Sequence, residues 1–555
     1  MRDFLFRPIM RRAVLGLCVA VPVIVLAVLL MRRPAPPAKT ADQLAPQDAT
    51  VFIELPDLAE SARRWPLTAL YQIGEEPSVR RFLARPLSQI PAEWTAILGS
   101  CLNLQPGSAF WAATRPDSNH WVGGIRFQGD LRQWRNFASL LQQELHRSLI
   151  SVTANGETPI GSQAEGRLPV YCALQGSWFL VSPQIGLVRD AMARSAGTQS
   201  GLISNPAYQE SRAEMPARAD LYTFVSGQAI QSLRKALSLM PRVERLDSLM
   251  TSTVLADANI QDTVYAHVSA GQPQIVPERT SLDLTSPDTL VYASARLDLL
   301  ALRQTAQRFA SQFGIAETAA SYFDEVSQAG IDFSELSRLV KNAELVVNQV
   351  PATDGLNGVF CLEVSNPSRF DWMIRTLLEQ KFPGRWSSSQ NGPDTIYQFQ
   401  TPGYQAITFG LVGSHLVVAP NAEAFEATAD KVRQSSLTTP VPGASVSDKS
   451  IKKASEIRLY LDSRVLFQRG YSLLRPILIC SASFLPQVSQ YIDPLQLPET
   501  DEITRHLTPI SLTHRVTAHG FKDESVGPIS AYEAGLLGIA VSSAYSWFQE
   551  TEESR

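Results

Sequence analysis

The stretches LQGSWFLVSP, residues 174–183, and LVGSHLVVAP, residues 411–420, decide how this chain is read. Leu174, Gly176, Ser177, Val181 and Pro183 stand opposite Leu411, Gly413, Ser414, Val418 and Pro420, all at an offset of 237. Aromatic and β-branched residues fill Val170–Val181 and Ile407–Val418, and a single Gly-Ser pair interrupts each run. That pattern predicts two antiparallel strands joined by a tight turn. Pro183 and Pro420 then precede helix-like stretches, and proline suits a first helical turn because its missing N–H would have no partner there.

The likeness continues on both sides. DATVFI from Asp48 matches DTLVYA from Asp288 at an offset of 240, and Leu221-Tyr222 matches Leu459-Tyr460 at an offset of 238. Before each hairpin comes a strand and then an amphipathic helix: WVGGIRFQ with DLRQWRNFASLLQQEL, and NGVFCLEV with SRFDWMIRTLLEQ. Leu131, Trp134, Phe137, Leu140 and Leu141 fall at helical spacing after Asp130, a suitable N-cap. Nearly equal offsets in chain order predict a tandem duplication. The expected fold class is therefore α+β, two duplicated units with largely antiparallel sheets and packed helices, covering 45–284 and 285–532. A helix and tail are expected over 533–555, and a loop over 435–455. The apolar stretch 464–492 contains Arg475 and Pro476 and is expected to pack in a core or domain interface.

Residues 13–31 hold nineteen positions without a charge, long enough as a helix to cover a hydrocarbon thickness of about 30 Å. Arg2, Arg7, Arg11 and Arg12 precede this run, while Arg32, Arg33 and Lys39 follow it. The balance predicts a cytoplasmic segment 1–12 and a body outside the cytoplasm. Because the run continues to Met31 and ends in Arg-Arg, an uncleaved transmembrane anchor fits better than a cleaved signal. Prolines 34, 36, 37 and 46 then predict an extended spacer over 32–47.

The 555 residues carry 49 basic and 53 acidic side chains, a net charge of -4, so no electrostatic field favours a nucleic-acid partner. Beyond Cys18, the cysteines 101, 172, 361 and 480 are too widely spaced to define a metal site or disulfide framework; buried free thiols are expected, with Cys101–Cys172 the alternative pairing. No HExxH, paired CxxC, Walker loop, GxGxxG or GxSxG occurs. Two SxxK matches, Ser232–Lys235 and Ser450–Lys453, lack companion motifs. His506, His514 and His519 supply three imidazoles, yet a strand sends His514 and His519 to opposite faces. Asp130 with Glu144, and Asp324 with Glu325, read as solvated helix acids. Trp111 and Trp121 suit hairpin packing better than a ligand platform. No catalytic, cofactor-binding or metal residue, and no cofactor, is assigned from the sequence.

DATVFIELPDL, Trp65, Thr68–Leu70 and EPSVRRFL, together with PETDEITRHLTPISL and SVGPIS near the end, resemble uncharacterised bacterial single-pass membrane-anchored proteins classed only as a domain of unknown function. The resemblance implies no substrate or catalytic residue. The expectation is a binding or scaffold protein of the bacterial cell envelope, held in the inner membrane by 13–31 with its body in the periplasm and a protein or envelope component as partner. The alternatives are a hydrolase whose acidic site assembles from distant residues, and a solute or glycan receptor with a cleft between the repeats.

Overall fold

The computed structural model describes residues 39–87, 107–115, 120–126, 149–153, 156–160, 169–231, 246–268, 284–297, 332–350, 355–392, 394–400, 406–435, 457–484 and 496–530, with a few single positions between them. The segment 1–12, the anchor 13–31, the helix expected after Asp130, nearly all of the loop 435–455 and the tail 533–555 lie outside the described residues. Among the described residues no helix is long and apolar enough to cross a membrane.

The chain forms two compact units. One takes the described residues of Met1–Gln274, Phe467–Thr508 and Thr517–Arg555, and the other those of Ile275–Leu466 and Pro509–Val516. This differs from a simple cut at 284/285.

The first unit contains β1 (Val51–Leu55), β2 (Ala109–Ala113), β3 (Trp121–Arg126), β4 (Leu149–Thr153), β5 (Gly156–Ile160), β6 (Val170–Gln175), β7 (Trp178–Ser182), β8 (Leu221–Ser226), β9 (Ser248–Ala256) and β10 (Asn259–His267). Their order across the sheet is 5-4-6-7-3-2-1-8-9-10. Every pair is antiparallel except β4–β6, which is parallel. Its described helices include α1 (Ala41–Leu44), α2 (Ile185–Ala196) and α3 (Pro206–Ala213), besides the helices Leu58–Arg64, Ala69–Glu75 and Pro77–Leu87. Period-2 alternation sends Phe52, Phe110, Val122, Leu180, Tyr222 and Phe224 to one face, where they form a buried core with Leu44 of α1, Ala191 of α2 and Tyr208 of α3. Each fully buried large side chain contributes about 1.5–3 kcal/mol relative to exposure.

Residues 32–47 were expected as spacer, but from Lys39 on the chain is laid against this unit. Ala41, Leu44, Ala45 and Ala49 are buried in its core. The Trp178 indole donates to the Lys39 carbonyl at 3.0 Å and Arg194 Nε to the Leu44 carbonyl at 2.6 Å. Small apolar residues spaced for one helical face account for the docking.

The second unit contains β11 (Thr289–Arg296), β12 (Val340–Val350), β13 (Gly355–Val364), β14 (Trp386–Asn391), β15 (Asp394–Phe399), β16 (Ile407–Val412), β17 (His415–Ala419), β18 (Ile457–Leu461) and β19 (Ile510–Thr517), with α4 (Pro367–Lys381) and α5 (Ala422–Ser435). The strand order is 14-15-16-17-13-12-11-18-19, antiparallel throughout. Val359, Cys361, Val412 and Val417 meet Phe425, Ala429 and Val432 of α5 on one face. Their neighbours in sequence, Phe360, Leu362, Leu411 and Leu416, meet Phe370 and Met373 of α4 on the other. The sheet is thus covered on both sides, and alternation decides which side chain serves which helix.

Both expected hairpins form. Gln175 pairs with Trp178 and Val412 with His415, so each loop is the two-residue Gly-Ser. Gly176 has φ 62° and Gly413 φ 57°, with glycine at the first central position, as a type II′ turn requires.

Two further elements lie beyond these sets. The helix α6 (Ser463–Phe484) departs from the packing expected of it: Leu473, Leu474 and Ile477 are 73%, 54% and 61% exposed. Its opposite side is held by polar ties, Tyr471 Oη donating to the Pro498 carbonyl at 2.8 Å and Arg475 gripping Glu499 at 2.7 and 2.9 Å. The last strand, β20 (Gly520–Gly527), pairs with β10 along eight residues from Ile260 to His267, which is why the C-terminal stretch belongs with the first unit.

Candidate functional site

The second unit carries an open groove of about 730 Å³ at one end of its sheet. The first two turns of α4 supply Pro367, Ser368 and Asp371, the end of β14 and the turn after it supply Asn391 and Gly392, and β15 supplies Asp394 and Thr395. Leu411 and Gly413 enter from the β16–β17 hairpin, and Arg433 from the last turn of α5. Asn366 caps α4, its side chain accepting from the Arg369 N–H at 3.1 Å, which fixes where that helix starts.

Each charged group of the groove is already matched. Asp394 is 6% exposed and accepts from Arg433 Nη2 at 3.0 Å and Nε at 3.2 Å. Arg433 also reaches Asp430 at 2.7 Å and Glu426 at 3.7 Å. These bonds, led by the one to Asp394, hold the Arg433 guanidinium above its usual range. Asp371 accepts from Tyr397 Oη at 2.6 Å and from Arg375 Nε at 2.9 Å. Tyr397 is fully buried, and burial first, then its bond to Asp371, lifts its phenol above the ordinary range. Both carboxylates thus accept hydrogen bonds from neighbouring side chains. The groove offers acceptors, one guanidinium, an amide and two hydroxyls, a set able to hydrogen-bond polar groups.

Sequence reasoning singled out none of the groove's charged residues. The pairs Asp371–Arg375 and Asp430–Arg433 stand at helical spacings of four and three. By contrast, Asp394 and Arg433 lie 39 residues apart and meet only through the fold.

The residues that were singled out are dispersed. His506 Nε2 lies 2.5 Å from Glu76 Oε1, and its Nδ1 lies 3.2 Å from Gln72 Oε1. His514 is on β19 opposite Ile457, and the His519 carbonyl accepts from the Val268 N–H at 3.0 Å. Among the described residues no three His, Cys, Asp or Glu side chains gather as metal ligands. Trp111 faces Gly123 and Trp121 faces Ala113, so both indoles share the sheet face opposite Phe110 and Val122. Trp121 is buried there with Ala109 and Ile125, which makes packing its role and leaves no exposed platform. Cys172 and Cys361 are buried free thiols, pushed up to about 12 by burial, and Cys480 is an exposed free thiol. Cys101, Ser232, Lys235, Ser450, Lys453, Asp130, Glu144, Asp324 and Glu325 lie outside the described residues.

No family model matches this chain, and no curated protein matches it. Among solved structures it is similar to TP0453. Crystal forms I and III of that protein share 8% identity at a TM-score of 0.25, covering 43% of this chain and 82% and 84% of the other. Form IV shares 11% at 0.23, covering 41% and 72%. Likeness at this level carries no argument about fold or activity.

Proposed function

We propose that this chain is a membrane-anchored binding or scaffold protein of the bacterial cell envelope, of the uncharacterised class its end motifs resemble, built from two copies of one α+β module. The observation that carries binding over hydrolysis is the groove of the second unit, where both aspartates are committed to arginine or tyrosine partners. A hydrolytic pair needs one carboxyl group free to give or take a proton.

Register supports the duplication. Gly123 pairs with Val181 and Phe360 with Val418, and Ile125 pairs with Phe179 and Leu362 with Leu416, every position shifted by 237. Helices α2 and α5 begin at Ile185 and Ala422, the same shift. Strands 7-3-2-1-8-9 of the first unit run in the order of 17-13-12-11-18-19 in the second. The departure is the outer hairpin: β4 lies beside β6 in parallel, whereas β15 lies beside β16 antiparallel. The copies thus share a centre and differ at the edge where the groove is built.

A photo-crosslinker at Ser368, in the full chain in its own membrane, is expected to form an adduct that the same crosslinker at exposed Gln398 does not. Equal labelling at both positions would remove the groove as the binding surface. For the topology, a reporter fused after Arg555 is expected to behave as exported, and a cytoplasmic signal would overturn the envelope assignment.

A further inference from the structure

Glu54 lies on β1 in phase with Phe52, so its carboxyl group points to the core side of the first sheet. Its cross-strand neighbours there are Tyr222 on β8 and Phe110 on β2, both buried. Asp42 of α1 faces it, with Oδ2 at 3.4 Å from Tyr208 Oη and a buried Oδ1 that has no hydrogen-bond partner. From α3, Arg212 and Tyr208 complete the surroundings. Arg212 sits 3.8 Å over the Tyr222 ring and donates to the Pro216 carbonyl, without forming an ion pair to Glu54. Two carboxylates, one on the body and one on the segment laid across it, therefore share a site with a single cation that is engaged elsewhere.

That segment has the construction of a strap. Residues 39–50 bury Ala41, Leu44, Ala45 and Ala49, pair Pro46 with Gly201 and accept from the Leu202 N–H at 3.0 Å through the Ala45 carbonyl. It is also the segment that leads to the sequence preceding the body.

We propose that residues 39–50 form a proton-controlled strap, held against the first unit while Glu54 is neutral and loosened when Glu54 ionises beside Asp42. Burial, then Asp42, raise the Glu54 carboxyl from 4.5 to about 7, while Arg212 opposes them. The docked state therefore keeps a proton that the open state sheds. As pH rises toward about 7, docking weakens by at most tenfold per unit and is level above that; about 300-fold is the ceiling, because Phe110, Tyr222 and Tyr208 still flank Glu54 once the strap leaves. Docked, the strap leaves residues 32–38 as spacer, about 22 Å when extended; released to Thr50, it adds about 35 Å. The change in tether length rests on the anchor assignment, whereas the latch does not.

Hydrogen exchange of the full chain, corrected for the pH dependence of free amides, tests the latch at the N–H groups of Gln43, Ala45 and Ala49, which are bonded within the strap. Their protection is expected to fall from pH 5 to 7 and level off above, with Glu54→Gln held at the acid value at every pH. Asp42→Asn, which keeps the burial, should retain the fall with its midpoint moved to lower pH. Protection in the wild type that ignores pH overturns the proposal, as does either variant tracing the wild-type curve. Carbonate extraction of the same chain reports on the anchor separately, and a chain that extracts yet shows the pH-dependent strap loses the tether and keeps the latch.

Discussion

At Gly176 and Gly413 the backbone is held at positive φ, and a Cβ added at either position would meet nothing within 4 Å. The cost of alanine there is conformational, about 1–2 kcal/mol, with no clash to add. Gly176→Ala and Gly413→Ala should therefore lower stability by similar amounts, measured as denaturant midpoints at unchanged slope. Widely different losses would show that the two turns are not equivalent. These glycines are legible in the sequence because a two-residue turn is decided by the residues within it. Glu54 went unnoticed in the sequence, although in VFIEL it alternates with Phe52 and period 2 puts it on the core side. What the sequence does not display is Asp42 folding back over it. The linkage has a definite sign. Between about 4.5 and 7 the native state binds the proton and the unfolded state does not, so this residue makes stability fall as pH rises, by about 3 kcal/mol across the window. Glu54→Gln should flatten that slope in urea titrations at pH 5, 6 and 7, and a slope unchanged by the substitution would refute the assignment.

Among the elements, α5 shows where local spacing stops being informative. Its apolar stripe, Ala424, Phe425, Ala429 and Val432, is helical in period and seats the helix on the sheet. Its Arg433 also bonds Asp394, across 39 residues, at a carboxylate that is almost fully buried. Replacing Arg433 with Met keeps the stem and removes the charge, leaving Asp394 without its cation. The expected loss is about 2 kcal/mol, and the double variant with Asp394→Asn should recover part of it. A loss that the second substitution deepens would place the role of Arg433 elsewhere. The helix α6 is the opposite case. Its composition reads as buried, yet its seat is made by Tyr471 and Arg475, and Leu473, Leu474 and Ile477 are left exposed. An apolar count predicts how much surface a helix offers, and it does not predict which polar tie turns that surface outward.

On the scale of the whole molecule, each unit has its own core, Phe52 lying in one and Phe425 in the other. Phe52→Ala and Phe425→Ala each remove about 3–5 kcal/mol from the core they occupy. If the units unfold separately, calorimetry of the full chain should show two transitions, with one variant lowering the first and the other lowering the second by on the order of 10 °C. Chain order alone would assign every residue after 466 to the later transition. The β10–β20 pairing assigns Gly520 to the earlier unit, because a Cβ there would come within 1.9 Å of the Ala266 carbonyl oxygen. Gly520→Val should consequently lower the transition that Phe52→Ala lowers and leave the one governed by Phe425 in place. The two residues are far apart in sequence and share one sheet. If Gly520→Val moves instead with Phe425→Ala, the last strand belongs to the second unit's folding and the division of the chain must be redrawn. If all three variants shift a single transition together, the two units fold as one cooperative body despite their separate cores.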